Sequence, residues 1–346
     1  MSNVYSLVNL GWQPFFQQQL SLQEWTDFTP ARIIEQHKTE VALVNEAESF
    51  TLGLQHTMPD MVVGDWLLLD EQKRFVRLLE RKTCFQRKAA GSKVGKQLIA
   101  ANVDTAFIVC SMNHDFNLNR IERFLSLAND AGAEPVILLS KSDLAETPEH
   151  YIAQVQKLDN LLNILAINCL SLESTANLLP WVKEGNTVVV LGSSGVGKST
   201  LVNALLGESK QSTGGTRADD DKGRHTTSRR SLIGLSAGGM ILDTPGMREV
   251  QLANCEQGIS ATFADIEQLA QQCRFKDCQH QGEPGCAVQH AIAQERLEQR
   301  RLDNYLKLRR EEMQNSASLA EKRAKDKALG KFYKRTITDT RKLKSR

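Results

Sequence analysis

Residues 187–207 read TVVVLGSSGVGKSTLVNALLG, and this stretch decides the fold. A β-branched run, Thr187–Leu191, leads into Gly192-Ser-Ser-Gly-Val-Gly-Lys-Ser199, which fits G-x-x-x-x-G-K-[ST], and a helical pattern opens directly behind it. Strand, glycine loop and helix together form the context that makes this motif a phosphate cradle rather than a chance Gly/Ser turn. Glycines let the backbone wrap an anion so that N–H groups point inward, and the helix N-terminus adds partial positive charge. The candidate phosphate-binding residues are Gly192, Ser193, Ser194, Gly195, Val196, Gly197, Lys198, Ser199 and Thr200. Lys198 is expected to reach the β- and γ-phosphates of a nucleotide, and Ser199 to ligate Mg²⁺.

Working outward, strand-like runs alternate with amphipathic stretches. Ala106–Ser111, Pro135–Ser140, Asn163–Asn168 and Gly239–Asp243 are the runs; Leu118–Ala131 and His150–Leu162 lie between them. Such alternation predicts an α/β unit, a parallel sheet covered by helices. Two of the runs end in recognisable loops. Asp243-Thr-Pro-Gly246 closes the strand MILD; Asp243 suits Mg²⁺ held through water, and the Gly246 N–H suits a γ-phosphate. Ser140-Lys141-Ser142-Asp143 closes PVILL and is similar to the guanine-reading N-K-x-D of GTPases. Asp143 would accept from guanine N1–H and N2–H₂, a pairing adenine cannot offer, and Lys141 would lie along the ring. The plainer reading is a strand end followed by a helix cap. Ser140 departs from the usual Asn, whose amide serves both base and phosphate loop. The shorter hydroxyl is expected to lose one of those contacts, at a cost of about 1 kcal/mol. Asn168-Cys-Leu170 stands where a second base-contacting loop is expected, and departs from the usual Ser-Ala.

The order of these loops is itself informative. The base-reading loops precede the phosphate loop, and Asp-Thr-Pro-Gly comes last. This is a rotation of the usual GTPase order, so a circular permutation is expected, with every loop kept on one rim of the sheet.

On either side the character changes. Residues 31–98 carry five short apolar runs (Ala31–Ile34, Val41–Val44, Phe50–Leu54, Trp66–Leu69, Phe75–Leu79) with polar turns at Asn45–Glu48 and Asp70–Lys73, a spacing that suits a small β-barrel. A pair of unrelated hairpins is the competing reading. Basic Lys82–Lys96, with Gly91 and Gly95, reads as a linker or loop. Residues 1–30 are rich in Gln and aromatics, without a clear period. The sequence thus divides into an N-terminal extension (1–30), a barrel (31–98), a permuted nucleotide-binding domain (99–252), a metal-binding helical domain (253–313) and a basic tail (314–346). After Glu249 the pattern is helical, and Ala287–Met313 reads as one charged helix.

Cys273-x₄-Cys278-x-His280-x₅-Cys286 offers three thiolates and one imidazole. With four positions filled, the spacing predicts a structural Zn²⁺ site rather than a disulfide set, in which one cysteine would be left over. Unpaired buried cysteines are the bland alternative, and an iron–sulfur centre a lesser one.

Of the 346 residues, 43 are Lys or Arg and 41 are Asp or Glu. That balance hides a polarity: Ser318–Arg346 carries 11 basic and 3 acidic residues, leaving 32 and 38 for the rest. An acidic body with a basic tail fits either a polyanionic partner or a tail that is simply solvated. The apolar runs are far shorter than the roughly 18 residues of a membrane span, and MSNVYSLVNLGW has no leader pattern. A cytoplasmic protein with no membrane partner, a monomer with reduced thiols, is expected.

Taken together, Gly64-Asp-Trp66, Ala-Ala-Asn-Val-Asp at 100–104, the permuted loops, Gly-Arg-His-Thr-Thr at 223–227 and the cysteine cluster resemble the circularly permuted ribosome-assembly GTPases of the RsgA (YjeQ/EngC) family, over nearly the whole chain. The resemblance implies an OB-fold barrel, a permuted GTPase domain and a C-terminal zinc domain. It implies GTP hydrolysis to GDP and phosphate, stimulated by the small ribosomal subunit late in that subunit's maturation, with rRNA contacted by barrel, zinc domain and tail. Met247 occupies the position where Ras-like enzymes carry a water-orienting Gln, so another group must serve. The polar segment Gly207–Arg230 suits a switch loop, in which Thr226 or Thr227 would close over Mg²⁺ and the γ-phosphate. The family resemblance implies His225 as the group that orients water. The alternative of a different class is a metal-dependent RNA-binding module that senses GDP and GTP without needing hydrolysis.

Overall fold

A computed structural model describes residues 6–88, 96–207, 231–243 and 255–316. The chain opens with two short helices, α1 (Pro14–Gln17) and α2 (Leu22–Asp27). Proline at the first turn starts α1, and a Ser21/Glu24 capping box starts α2. The residues that show no period in sequence are therefore ordered by packing. Trp12 lies edge-on to Trp66 with centroids 4.8 Å apart, and Phe16 is buried beside them.

Five antiparallel strands follow: β1 (Thr29–Gln36), β2 (Glu40–Val44), β3 (Ser49–Gly53), β4 (Trp66–Leu69) and β5 (Phe75–Leu78). Their pairing order is β3-β2-β1-β4-β5, a partly open OB-type barrel. Both expected turns are built on side-chain carbonyls. Asn45 Oδ1 accepts from Ala47 and Glu48 N–H; Asp70 Oδ1 accepts from Gln72 and Arg74 N–H. The Gly64-Asp-Trp66 motif is structural. Gly64 has φ +93°, and a Cβ there would stand 2.0 Å from Ala101 O. Asp65 is buried, accepts from Val62 N–H at 2.8 Å and is clasped by Arg81 at 2.7 and 2.8 Å.

The basic stretch Lys82–Lys96, read as a linker or loop, instead holds a strand, β6 (Cys84–Lys88), and the first residue of another, β7 (Lys96–Ala101); the two pair antiparallel. Their sequences, CFQRK and KQLIAA, lack the alternation of a half-buried strand, which is why the pattern conceals them.

The α/β unit then runs β8 (Thr105–Ser111), α3 (Leu118–Ala131), β9 (Glu134–Ser140), α4 (Pro148–Gln156), β10 (Asn163–Ile167), α5 (Leu172–Ala176), α6 (Leu179–Val182), β11 (Thr187–Gly192), α7 (Lys198–Leu206), β12 (Ser231–Gly234) and β13 (Met240–Asp243). The strands order as β10-β9-β8-β11-β13-β12, parallel except for β12. β12 has no counterpart in the sequence reading. Its Ser231 pairs with Glu35 of β1, so the barrel and the α/β unit share one eleven-stranded sheet.

Beneath that junction Arg32 is wholly buried. It donates to Leu10 O, to Thr187 Oγ1 at 2.9 Å, to Asn102 O at 2.8 Å and to Gly64 O at 3.3 Å. Burial lowers its pKa to about 10, opposed by Asp104 and Asp65.

Among the described residues after Cys255 there are only helices: α8 (Glu256–Thr262), α9 (Ala264–Ala270), α10 (Ala287–Ala293) and α11 (Gln299–Ser316). The single charged helix expected over Ala287–Met313 is two. A turn with Glu295 at φ +58° separates α10 from α11. The turn lets α11 fold back onto α3, where Glu122 is fully buried. Glu122 accepts from Arg300 at 3.0 and 3.1 Å and from Arg301 at 2.8 Å. Gly258 allows α8 to approach α3 closely, since a Cβ at Gly258 would stand 2.0 Å from Ser126 O. No described helix is long and apolar enough to cross a membrane.

Candidate functional site

Parallel strands put all their C-terminal ends on one rim, where ligands of open α/β sheets bind. β9 ends at Ser140, β10 at Ile167, β11 at Gly192 and β13 at Asp243. Every described loop singled out in the sequence therefore meets on the same edge, although these loops are far apart in the chain.

The phosphate loop has the backbone its glycines allow. Gly192, Gly195 and Gly197 have φ of +148°, +78° and +95°. A Cβ on Gly192 would lie 2.5 Å from Val109 O, so only glycine fits there. Gly197 caps α7, and Leu201 N–H donates to Gly197 O at 2.9 Å. The N-terminus of α7 thus stands at the loop, the end of a helix that favours an anion. Lys198 Nζ folds back and donates to Ser193 O. Arg120, in the first turn of α3, reaches Ser193 Oγ at 3.4 Å. No motif marks Arg120; its place follows only from how α3 packs.

The base-reading loop lies alongside. Lys141 adopts the left-handed conformation (φ +59°), and a single 3₁₀ turn, Ser142–Leu144, carries Asp143. Ser140 is fully buried, and its Oγ donates to Val196 O of the phosphate loop at 2.6 Å. Next to it, Asn168 Oδ1 accepts from Leu170 N–H at 2.9 Å, and Asn168 N–H donates to Ser174 Oγ at 2.9 Å. Cys169 is buried between the loops. Burial first, and the nearby Asp143 charge second, push its thiol up to about 11. A Cβ on Gly197 would be 3.8 Å from Cys169 Sγ and 3.9 Å from Ser140 Oγ. The three loops thus form one packed unit.

Asp243 ends β13, its backbone paired with Ser231. His225, Thr226, Thr227 and Gly246 lie outside the described residues.

A second constellation sits between α9 and α10. The ligand atoms of Cys273, Cys278, His280 and Cys286 all lie within 4.8 Å of one another. His280 presents Nδ1, 3.7 Å from Cys273 Sγ and 3.4 Å from Cys286 Sγ, and the latter two sulfurs are 3.9 Å apart. His280 (φ +59°), Gly282 (φ +108°) and Gly285 (φ +79°) supply the left-handed turns that bring the ligands back together. Gln289 Nε2 holds His280 O at 2.6 Å, and Glu283 accepts from Gln279 and Gln281 N–H. Three thiols and an imidazole converging on one point form a metal site with all four donors supplied by the protein.

A glycine loop of the phosphate-binding pattern, the Ser140–Asp143 loop and a strand-end Asp, in rotated order on one rim, define a circularly permuted GTPase sheet carrying a barrel and a metal-binding helical module. The sequence matches the RsgA GTPase family over residues 78–253. It is 57% identical to the small ribosomal subunit biogenesis GTPase RsgA 2 of Vibrio parahaemolyticus, over 97% of this chain and 94% of that one. It is 45% identical to the small ribosomal subunit biogenesis GTPase RsgA of Mesorhizobium japonicum, over 90% and 91%. The fold is similar to that of YjeQ from Thermotoga maritima (TM-score 0.61, 23% identity, 81% of this chain and 97% of that one). It is also similar to YloQ, a circularly permuted GTPase (TM-score 0.60, 22% identity, 84% and 96%). The chain belongs to the RsgA GTPase family and is a GTP hydrolase.

Proposed function

We propose that this GTPase acts in biogenesis of the small ribosomal subunit, binding GTP on the sheet rim and hydrolysing it when the subunit is engaged. The observation that carries this reading is the near end-to-end match, at 57% identity, to a relative named for that role. On this reading Lys198 and the α7 N-terminus hold the β- and γ-phosphates, while Ser199 binds Mg²⁺ directly and Asp243 through water. Asp143 reads guanine and Lys141 covers the ring. Gly246, with Thr226 or Thr227, closes on the γ-phosphate, and His225 orients the attacking water in place of Met247.

The metal site fits Zn²⁺. Tetrahedral zinc with Zn–S of about 2.3 Å and Zn–N of about 2.05 Å has S···S edges of ~3.8 Å and S···N edges of ~3.6 Å. The 3.9, 3.7 and 3.4 Å among Cys273, His280 and Cys286 lie close to those edges. The ion is structural, since four protein donors leave no open position.

The division into extension, barrel, GTPase domain, zinc domain and tail gives three RNA-facing modules: the barrel, the zinc domain and the basic tail. They work on a monomer in the cytoplasm. The test is GTP turnover with and without purified small subunits, at two salt concentrations. Stimulation that weakens as salt rises supports the reading; turnover indifferent to the subunit at both salts overturns it.

A further inference from the structure

Ser140 is a rim residue whose chemistry differs in kind from the side chain expected there. An amide has two N–H donors and can serve a base and a loop together; a hydroxyl has one. Ser140 Oγ has two protein oxygens in reach, Val196 O at 2.6 Å and Cys110 O at 3.4 Å. Both are carbonyls and only accept, so the hydroxyl must be the donor. The side chain is fully buried at the end of β9. Its backbone is fixed as well: Ser140 pairs with Ser111 and Ile167, and its carbonyl accepts from Met112 N–H at 2.9 Å.

Guanine offers two hydrogen-bonding faces. N1–H and N2–H₂ are donors that suit a carboxylate, while N7 and O6 are acceptors that require a donor. We infer that Ser140 is a positioning residue for the phosphate loop and not a base contact. Its only proton is committed to Val196, so guanine is selected on the face turned to Asp143, and N7 receives no hydrogen bond from Ser140. This rests on the reading of Asp143 given above. The contact kept by the shorter side chain is the one to the loop; the contact given up is the one to the base. The bond is also placed to matter, because Val196 lies between Gly195 and Gly197, whose left-handed conformations shape the cradle.

Calorimetric titration of the full chain and of Ser140→Ala with GDP, 7-deaza-GDP and IDP, plus guanosine by competition, tests this. Ser140→Ala is expected to weaken GDP and 7-deaza-GDP equally, by roughly tenfold, the equivalent of one buried hydrogen bond. Guanosine, which has no phosphate to place, is expected to bind both proteins alike, a result that general loosening of the fold would not give. The inference is overturned if Ser140→Ala narrows a gap between GDP and 7-deaza-GDP, because the hydroxyl would then be reading N7. It is overturned equally if GDP binding is unchanged in the variant. IDP lacks the 2-amino group, so equal binding of IDP and GDP would refute the Asp143 assignment and would leave the Ser140 ratios to be judged separately.

Discussion

Arg301 Nη1 donates to Glu122 Oε1 at 2.8 Å, joining helices that lie 179 residues apart in the chain. Arg301 also grips Asp265 at 2.8 and 2.9 Å and lies 4.8 Å over the Phe263 ring. Arg300 and Asn304 also donate to Glu122. Replacing Glu122 with Ala leaves the buried Arg301 with Asp265 as its remaining carboxylate partner and is expected to cost about 3 kcal/mol. Thermal unfolding checks it; a loss of only a few tenths would mean that the α3–α11 contact does not depend on this cluster.

Gly258→Ala acts on the same interface by bulk alone. The new methyl would occupy space 2.0 Å from Ser126 O and 2.6 Å from Asp130 Cβ, so α8 must move away from α3. A loss of about 1–3 kcal/mol is expected, as for other overpacked contacts, and denaturant midpoints measure it.

Arg32→Met removes the donor shared by Leu10 O, Asn102 O, Gly64 O and Thr187 Oγ1 while keeping much of the side chain's bulk. Buried acceptors left unpaired cost about 1–3 kcal/mol each. A fall of about 3 kcal/mol or more is therefore expected in urea unfolding, even though a buried charge has also been removed. A neutral result would show that water replaces the guanidinium.

Cys169 gives a pH signature. Its thiol is raised from 9.0 to about 11, by burial first and by Asp143 second. Between those values the unfolded chain has lost the proton that the folded chain still holds. Stability must therefore fall as pH rises from 9 to 11, by at most about 1.4 kcal/mol per pH unit from this group. Cys169→Ser is expected to flatten that part of the stability profile relative to the parent chain. Identical slopes in parent and variant would refute it.

Metal content is the direct check on the cysteine cluster. One zinc ion per chain is expected in purified protein, and Cys278→Ser is expected to lower it towards zero. Chelation should loosen the α9–α10 region first, read as faster amide exchange there while the strand cores stay protected.

Local chemistry was legible in the sequence wherever it was confined to a few adjacent residues. The Gly192–Ser199 cradle, the Asn45 and Asp70 turns and the Cys273–Cys286 cluster each carry their own geometry in their residue types. What escaped depends on partners distant in sequence. β6 and β7 mix charged and apolar residues without alternation. β12 has four residues and is identified mainly by pairing with β13 and β1. The break between α10 and α11 turns on Glu295, a residue type with no strong turn preference. Glu122, Arg300 and Arg301 look like solvated helix charges until the two helices are laid together. Ser140 was recognised as a departure, but which contact it would keep depended on where Val196 O lies.

The Ser231–Glu35 pair has a mechanical meaning. β12 pairs along its length with β13 and, through its first residue, with β1. The hydrogen-bonded bridge between barrel and α/β sheet is thus one residue pair wide. Whatever grips the barrel bears on the strand that flanks β13, whose end carries Asp243. Two sheets joined through so narrow a strip share a hinge line, and a displacement of one is felt at the edge of the other.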